Sequence, residues 1–470
     1  MWSGLKQTIE EKFNFKLNKN QFKEIKRLIY EINRRENLTG DKIINTVAFD
    51  TTINRISGRN KFFRIKDNLI KMRFPLTRAR QTIDTKQVFL AELKTPLENN
   101  ARGCSPFKPE KIFIEKSAAN SYLAGKFTRF FPETPIEELN YYGEHLKKQK
   151  YSLEDLKKPY VFIVNEQWDF IKPCPCTKEH LGCNYWIFNL GMGCPFDCSY
   201  CFLQQYSNFP GIVLPSNLDV FFNRFDNFHK KIGRPIRIGT GEFSDSLALD
   251  YITDYAGQLI NFFKTKPVYF ELKTKSPNID NIKEINGEKN IVISWSLNPQ
   301  TIIDSEEIAT SSLIARLEAA RQMQKQGFSL SFHFDPIIYS PDWKTLYKNT
   351  VDKLYKKING PFAWISLGTL RGTRKLKSTA ELRFPKSNIF YGELLLGKDK
   401  KLRYHEFLRK EIYQNMVHWI RAYDTKTPIY LCMENKNIWQ VVNNDLNTSG
   451  EIERYLIKNT AVIQSDEKKH

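Results

Sequence analysis

The sequence has no long apolar run, no internal repeat and no low-complexity block. No hydrophobic stretch approaches the roughly 18 residues that cross a bilayer, and the first residues lack the basic-then-apolar order of a signal peptide. Cysteine is nearly absent outside one segment, because six of the eight cysteines lie within residues 174–201. A secreted disulfide framework would spread its cysteines along the chain, so the clustered cysteines are predicted to bind metal. The lack of a membrane span and of a signal peptide predicts a cytoplasmic protein without a membrane partner.

The length of the chain predicts several domains. With 470 residues, of which 41% are hydrophobic and 26% charged, it is long enough for two or three globular domains. We predict a basic, mainly helical extension over 1–105, a small α/β domain over 106–170, a barrel over 171–435 and a polar tail over 436–470.

Positive charge is concentrated near the N-terminus. The chain carries 72 Lys and Arg against 52 Asp and Glu, and residues 1–110 alone hold 23 against 12. Residues 55–80 carry nine basic residues and one acid, with Phe62, Phe63 and Phe74 between them. This excess predicts a nucleic-acid partner, with DNA favoured, because basic groups neutralise phosphates; a solubilising surface is the alternative. The phenylalanines fit the core of a helical layer better than a base-stacking surface.

Strand and helix patterns alternate from about residue 184 onwards. Such alternation predicts parallel strands joined by crossover helices, and six or more of these units predict an α/β partial barrel of (β/α)6 type. In barrels, functional residues lie at the carboxyl ends of the strands. The predicted strands are 186–190, 236–239, 268–274, 290–297, 329–335, 363–367 and 429–433.

Three cysteines, Cys194, Cys198 and Cys201, have the spacing Cys-x3-Cys-x2-Cys. A structural zinc ion and a fully ligated 4Fe–4S cluster both take four protein ligands. Three closely spaced thiolates therefore suit a cluster with one iron open to a small molecule, and this spacing is typical of radical S-adenosylmethionine (SAM) enzymes. The alternative is a zinc knuckle that takes its fourth ligand from Cys183 or His180.

Polar residues follow the predicted strands where a barrel binds its ligands. Glu242 offers a carboxylate to an ammonium group, whereas Lys273 and Lys275 lie on one face of a strand and offer cations to a carboxylate. Tyr200 offers a ring to an adenine. The predicted cofactor-binding residues are Tyr200, Gly241, Glu242, Lys273, Lys275, Ser296, Asn298, His333 and Asp335.

Several stretches resemble the spore photoproduct lyase family of radical SAM enzymes. They are Gly-Cys-Pro-Phe-Asp-Cys-Ser-Tyr-Cys-Phe-Leu-Gln-Gln-Tyr within 173–206, Gly-Thr-Gly-Glu-Phe-Ser-Asp-Ser-Leu from residue 239, Glu-Leu-Lys-Thr-Lys-Ser from 271, Ser-Trp-Ser-Leu-Asn from 294 and Arg-Tyr-His at 403–405. The resemblance covers roughly residues 106–435. Residues 1–105 have no recognised counterpart in the family.

The resemblance implies a reaction. It implies that Cys194, Cys198 and Cys201 hold a 4Fe–4S cluster, which cleaves SAM to methionine and a 5′-deoxyadenosyl radical. In the lyases that radical takes a hydrogen atom from a thymine photoproduct of DNA, the lesion fragments, and a cysteine with tyrosine help returns a hydrogen atom. The resemblance thus implies a lyase-type enzyme of DNA repair or base modification. It also implies an external one-electron reductant of the flavodoxin or ferredoxin kind.

The sequence departs from the lyase pattern at two positions. Ser244 stands where the hydrogen-donating cysteine is expected, and Phe202 stands where the lyases have a tyrosine. A serine O–H bond is too strong to replace a thiol as hydrogen donor. Radical initiation therefore carries over, with Tyr200 and Ser244 as candidate catalytic residues, whereas a changed substrate or a changed hydrogen donor is predicted.

A second cysteine set, Cys174, Cys176 and Cys183, has no counterpart in this scheme. It fits a second metal site, holding zinc or an auxiliary iron–sulfur cluster, or three buried thiols, one of which would replace the missing hydrogen donor. The possible fourth ligands of a metal are Cys104, His180 and Cys432.

Two other functions stay open from the sequence. A radical SAM enzyme with these motifs can act on a peptide or a small metabolite, in which case the positive charge is incidental. A non-catalytic, metal-dependent nucleic-acid-binding protein would carry the same cysteines and the same charge.

Overall fold

The computed structural model describes residues 4–97, 106–166, 168–177, 179–206, 210–443 and 445–467. The helices are α1 (Leu5–Phe13), α2 (Lys19–Glu36), α3 (Gly40–Ala48), α4 (Gly58–Arg73), α5 (Pro75–Arg80), α6 (Tyr122–Phe130), α7 (Tyr142–Lys148), α8 (Leu203–Tyr206), α9 (Leu218–Ile232), α10 (Asp250–Thr253), α11 (Tyr255–Phe263), α12 (Gln300–Glu306), α13 (Leu313–Lys325), α14 (Trp343–Lys357), α15 (Arg374–Arg383), α16 (Glu406–Arg421), α17 (Lys436–Trp439) and α18 (Ser449–Glu467). The strands are β1 (Lys111–Glu115), β2 (Ile136–Leu139), β3 (Tyr160–Val164), β4 (Ile171–Pro173), β5 (Trp186–Phe188), β6 (Asp197–Cys198), β7 (Gly211–Pro215), β8 (Arg237–Gly239), β9 (Tyr269–Thr274), β10 (Ile291–Ser296), β11 (Glu307–Ile308), β12 (Ser329–Ile337), β13 (Trp364–Thr369), β14 (Arg371–Gly372), β15 (Leu394–Leu396), β16 (Leu402–Tyr404) and β17 (Ile429–Leu431).

The chain forms two compact units. The first, here called the helical unit, consists of Met1–Pro96 and Arg371–Leu408. The second, here called the barrel unit, consists of Leu97–Leu370 and Arg409–His470. The four-part division expected from the sequence stays a prediction.

The helical unit has an apolar core among its N-terminal helices. In α2, Ile25, Leu28, Ile29 and Ile32 recur at helical spacing and are fully buried, as an amphipathic helix requires. The helix begins after Asn18, whose side chain accepts a hydrogen bond from the backbone of the first turn. The segment 371–408 adds α15 and a three-stranded antiparallel sheet in the order β14-β16-β15.

Five charged side chains meet inside the helical unit. Glu31 accepts hydrogen bonds from Arg27 (2.8 Å) and Arg73 (2.7 Å), and it lies 3.0 Å from the ammonium group of Lys377. Arg27 also donates two hydrogen bonds to Glu381. Burial alone would raise the pKa of Glu31, but the three cations hold it well below its ordinary range. The network therefore ties α2 and α4 to α15.

The three phenylalanines of the basic segment do not share one environment. Phe62 and Phe74 are buried, in agreement with their predicted place in a helical core. Phe63 is 46% exposed. The core prediction is wrong for Phe63, because its side chain lies on a partly exposed face of α4.

The barrel unit contains an eight-stranded sheet in the order β17-β13-β12-β10-β9-β8-β5-β4. Neighbouring strands are parallel except for β4, which runs antiparallel to β5. All residues of β10 and β13 are buried, as expected for parallel strands covered on both faces. Each of the seven predicted strands is present, so the prediction of a partial α/β barrel is confirmed.

A smaller parallel sheet in the same unit has the order β2-β1-β3-β7. Its last strand, β7, follows the cysteine triplet, whereas β5 of the large sheet precedes it. The loop that carries Cys194, Cys198 and Cys201 therefore connects the two sheets.

The segment between β4 and β5 links the two edges of the large sheet. Leu181 forms a bridge with Glu434, just after β17, and the N–H of Gly182 donates to the hydroxyl of Ser449 (2.9 Å). Beyond β17 the chain continues into α17 and α18, and Ile452 of α18 is fully buried. Among the described residues, every helix is too short or too polar to cross a bilayer.

Candidate functional site

The cysteine loop begins at the carboxyl end of β5 and packs tightly against β7. Gly193 has a φ of 91°, and a β-carbon there would clash with the carbonyl oxygen of Gly211. A β-carbon at Gly191 would lie 2.8 Å from the carbonyl oxygen of Val213. Glycine at these positions thus lets the loop approach the strand and fixes where the following cysteines lie.

Backbone pairing anchors the middle of the loop. Cys198 lies in β6 and pairs with Glu307 of β11, and the N–H of Ser199 donates to the carbonyl of Glu306 (2.8 Å). The side chain of Gln204 donates to Asp197 (2.8 Å). The loop is therefore held by the chain itself.

The three thiols are suited to a cluster with an open iron. Cys198 is buried and Cys194 and Cys201 are partly buried, and burial raises the pKa of all three thiols. Metal binding needs the thiolate form. Burial disfavours that negative charge, and the positive charge of bound iron would stabilise it. A structural zinc ion takes four protein ligands, whereas this loop offers three thiols. The donor set therefore fits a 4Fe–4S cluster with one open iron better than a zinc ion.

The Gly-Glu element follows β8. A β-carbon at Gly241 would lie 2.6 Å from the β-carbon of Lys273, so glycine is needed for the loop to pass β9. Glu242 is partly buried and lies close enough to Cys201 and Cys174 to interact electrostatically with both. The structure thus brings Glu242 and Lys273 beside the cysteine loop.

Ser244 lines a cavity of about 40 Å³ beside the cysteine loop, together with Gly193 and Pro195. The next residue, Asp245, accepts hydrogen bonds from the Thr274 hydroxyl (2.6 Å) and from the N–H of Lys275 (2.8 Å). These bonds pin the segment to the carboxyl end of β9. The predicted catalytic position therefore lies next to the predicted cluster ligands.

Tyr200 belongs to a buried network centred on Glu307. The tyrosine hydroxyl donates to Glu307, which also accepts from the side chains of Asn298 (2.8 Å) and Arg316 (2.6 Å). The ammonium group of Lys275 lies 5.9 Å from the centre of the Tyr200 ring. Tyr200, Lys275 and Asn298 are thus brought together, and Glu307 and Arg316 were missing from the predicted site.

A second carboxylate, Glu271 in β9, organises the barrel interior and was also missed. One of its oxygens lies within hydrogen-bond distance of Ser294 (2.7 Å), Ser331 (3.0 Å) and Nε2 of His333 (2.7 Å), and the other accepts from Tyr185 (2.6 Å). Burial opposes ionisation, but these bonds hold the pKa of Glu271 below its ordinary range. The alternation that places Lys273 and Lys275 on one face of β9 includes Glu271 and was the available signal.

The remaining predicted cofactor residues lie around these networks. Ser296 is buried, and its carbonyl accepts from Arg316 (2.9 Å). His333 is buried and Asp335, partly buried, is close enough to interact with it electrostatically. The cofactor roles of these residues stay predictions.

The second cysteine set is a thiol cluster without a metal geometry. Cys174 and Cys176 have their sulfur atoms 3.9 Å apart, and Cys432 and Cys183 interact electrostatically with one or the other. Cys104 lies outside the described residues. Because no described group of three such side chains converges on one ion, a second metal has no support in the structure.

The fold and the cysteine loop together define the class of protein. An open α/β barrel of this kind, with a Cys-x3-Cys-x2-Cys loop after its first parallel strand, is the architecture of radical SAM enzymes. The family follows from comparison: the sequence model of the family described as "Spore photoproduct lyase" matches residues 107–421. The chain belongs to the spore photoproduct lyase family, whose members are radical SAM lyases that use a 4Fe–4S cluster and SAM.

The individual relatives are distant. The chain is similar to the spore photoproduct lyase of a Geobacillus species, with 28% identity over 60% of this chain and 85% of the relative. It is also similar to that of Clostridium acetobutylicum, with 23% identity over 64% and 94%. Two solved structures, spore photoproduct lyase with dinucleoside spore photoproduct and a mutant with both bound AdoMet and that photoproduct, each give a TM-score of 0.59 at 22% identity. Each covers 69% of this chain and 99% of the solved one.

Proposed function

We propose that the protein is a radical SAM enzyme that acts on a nucleic-acid base, with DNA favoured as the substrate. The observation that carries the proposal is the cysteine loop, held at the carboxyl end of β5 beside Glu242, Lys273 and Ser244. The relatives named spore photoproduct lyase support a DNA substrate, since solved structures of that enzyme contain a dinucleoside photoproduct. An external one-electron reductant of the flavodoxin or ferredoxin kind completes the proposal.

The chain's own residues would hold the cofactors. The thiolates of Cys194, Cys198 and Cys201 would bind the cluster, which together with SAM supplies a 5′-deoxyadenosyl radical when bound. Glu242 would accept hydrogen bonds from the amino group of SAM, and Lys273 would pair with its carboxylate. Burial of the loop excludes water and other hydrogen donors from the reacting atoms.

The residue at position 244 argues for a reaction that differs from that of the lyases. The Ser244 hydroxyl lines the cavity beside the cysteine loop, but its O–H bond is too strong to give a hydrogen atom to a carbon radical. We therefore propose a changed substrate or a different hydrogen donor. Cys174 and Cys176 are the candidate donors, because Cys174 interacts electrostatically with Glu242 of the same site.

The proposal is tested on anaerobically reconstituted protein with SAM, dithionite and irradiated DNA. 5′-Deoxyadenosine and changed bases, both measured by mass spectrometry, are the expected products. Cys198→Ala should lose SAM cleavage by several orders of magnitude, whereas the matched variant Cys432→Ala should retain it. Full SAM cleavage by Cys198→Ala would contradict the ligand assignment.

Two further variants locate the hydrogen donor. If the missing thiol alone separates this protein from the lyases, Ser244→Cys will restore conversion of spore photoproduct to thymine. If Cys174 or Cys176 gives the hydrogen atom, Cys174→Ala or Cys176→Ala will keep SAM cleavage and lose base product. SAM cleavage with no change in any base would instead favour a peptide or small-metabolite substrate. Protein that takes up only zinc and never yields 5′-deoxyadenosine would favour a non-catalytic binding protein.

A further inference from the structure

Two large aromatic side chains are exposed at one corner of the helical unit. Phe49, at the end of α3, is 83% exposed, and Phe63, in α4, is 46% exposed. Asp50 accepts hydrogen bonds from Arg64 (2.7 Å) and Asn68 (2.8 Å) of α4. Because Asp50 follows Phe49 and Arg64 follows Phe63, these bonds tie the end of α3, which carries Phe49, to α4, which carries Phe63.

Acidic groups at this corner are already paired. Between residues 42 and 80 the sequence contains two acids, Asp50 and Asp67. Asp50 is paired with Arg64 at 2.7 Å, and Asp67 is paired with Lys71 at 2.6 Å. A polyanion that approaches this corner therefore meets no uncompensated carboxylate from this segment.

Two exposed arginines, Arg55 and Arg59, lie in the same segment as the aromatic rings. The guanidinium of Arg59 lies 5.1 Å from the centre of the Phe63 ring, and Arg55 lies in the turn that precedes α4. In the part of the chain that the structure describes, neither arginine has a carboxylate partner. Helix α4 begins at Gly58, and Ser57 before it makes no side-chain cap hydrogen bond. The helix N-terminus thus adds unsatisfied N–H groups to the positive charge.

We propose that Phe49, Arg55, Arg59 and Phe63, here called the Phe–Arg surface, bind single-stranded DNA. Exposed aromatic rings stack on unpaired bases, and the arginines neutralise the phosphates between them. The inference deepens the proposed function and rests on its nucleic-acid substrate, because a base that reacts in a barrel has to leave the duplex. Charge complementarity favours DNA over an apolar protein surface, since Arg55 and Arg59 have no carboxylate partner among the described residues and Asp50, next to Phe49, is neutralised by Arg64.

The test measures binding of the full-length protein to a fluorescent oligothymidine at low salt, without SAM or reductant. Phe49→Ala/Phe63→Ala should weaken binding by about 30-fold or more, which is the low end for two lost stacking contacts. Arg55→Ala/Arg59→Ala should reduce the slope of log K against log salt by about 1.4. The matched control is Arg129→Ala/Phe130→Ala, an exposed Arg and Phe pair of the barrel unit, which should leave binding unchanged.

Three results would overturn the inference. They are full binding by Phe49→Ala/Phe63→Ala, an equal loss in the Arg129/Phe130 control, and an equal loss on an abasic oligomer that offers phosphates without bases. Phe49→Leu/Phe63→Leu guards against misfolding, since leucine keeps the apolar bulk but lacks the stacking face; it should bind as weakly as the alanine variant.

The two proposals fail separately. Phe49→Ala/Phe63→Ala should cleave SAM at the wild-type rate in the absence of DNA. Cys198→Ala should bind the oligothymidine with wild-type affinity and cleave no SAM. A wild-type protein that binds the oligothymidine but cleaves no SAM would count against the radical SAM assignment. A wild-type protein that cleaves SAM but does not bind the oligothymidine would count against the Phe–Arg surface.

Discussion

The helical unit and the barrel unit stabilise buried carboxylates in different ways. Glu31 of the helical unit is 2% exposed and faces three full cations, Arg27, Arg73 and Lys377. Glu271 of the barrel unit is equally buried, but its hydrogen-bond partners are hydroxyl, imidazole and indole groups. Paired charges fix the helices against each other, whereas Glu271 takes its hydrogen bonds from neutral donors and feels the buried cation Arg237 only through space.

Glu307 stands between these two cases. It is paired with one cation, Arg316, at 2.6 Å, and it also accepts from two neutral donors, Tyr200 and Asn298. Burial opposes its ionisation, but Arg316 and Lys275 outweigh this and lower the pKa of Glu307. The comparison predicts that the cost of a substitution follows the number of charges left without a partner.

The largest effect is expected for Glu31→Gln. This change leaves Arg27, Arg73 and Lys377 buried with one carboxylate, Glu381, among them, and breaking a buried ion pair costs about 3–5 kcal/mol. Urea unfolding at pH 7 measures the loss. Glu36→Gln, an exposed acid of the same helix, is the control and should cost less than about 0.5 kcal/mol. A cost near that of the control would show that the cations do not depend on Glu31.

A smaller loss is expected for Glu271→Gln. The amide keeps the shape of the side chain and still accepts hydrogen bonds, but it loses the charge that strengthens them. A hydrogen bond to a charged group contributes about 1.5–3 kcal/mol. The substitution should therefore lower the free energy of unfolding by an amount within that range. The same urea titration checks it. A loss as large as that of Glu31→Gln would remove the distinction between the two units.

Tyr200→Phe should cost about 1.5 kcal/mol. The substitution removes one hydrogen bond to the charged carboxylate of Glu307 and leaves its ion pair with Arg316 intact, and about 1.5 kcal/mol is the lower end for a hydrogen bond to a charged group. Thermal unfolding measures the stability, and SAM cleavage by the same variant separates a structural role from a catalytic one. A loss of cleavage without a loss of stability would favour the predicted catalytic role of Tyr200.

The smallest effect concerns pH and His333. Burial and then Lys273 lower the pKa of this imidazole, against the opposing influence of Glu271 and Asp335. The unfolded chain therefore takes up a proton first as the pH falls through the ordinary histidine range near 6.5, and stability falls with it. His333→Gln should flatten the dependence of unfolding free energy on pH between 7 and 5.5. An unchanged slope would mean that the pKa of His333 is the same in the folded and the unfolded chain.

The parts of the site that lie close together in sequence were predictable. The spacing of Cys194, Cys198 and Cys201 is a local pattern, and so is the alternation that places Lys273 and Lys275 on one face of β9. Both of these patterns need only the residues within one loop or one strand. Ser244 was found through the resemblance to the lyase family, because it stands where that family has its hydrogen-donating cysteine.

The networks were not predictable, because their members come from distant strands. Glu271 meets Ser294, Ser331 and His333 only once β9, β10 and β12 are adjacent. The role of Phe63 was missed for the same reason: a helical pattern does not tell which aromatic side chains a later segment will cover. The segment 371–408 joins the N-terminal helices through Lys377 and Glu381. No local sequence pattern predicts that these two residues pair with side chains of those helices.

The sequence by itself determined the cysteine loop, the strand and helix alternation and the positive charge, because spacing, periodicity and composition are local properties. Only the tertiary structure decided which carboxylates are buried, what compensates them, and which rings stay exposed. Those outcomes depend on contacts between residues hundreds of positions apart, such as Arg27 with Glu381. Such contacts stabilise the protein only after folding has brought the distant residues together.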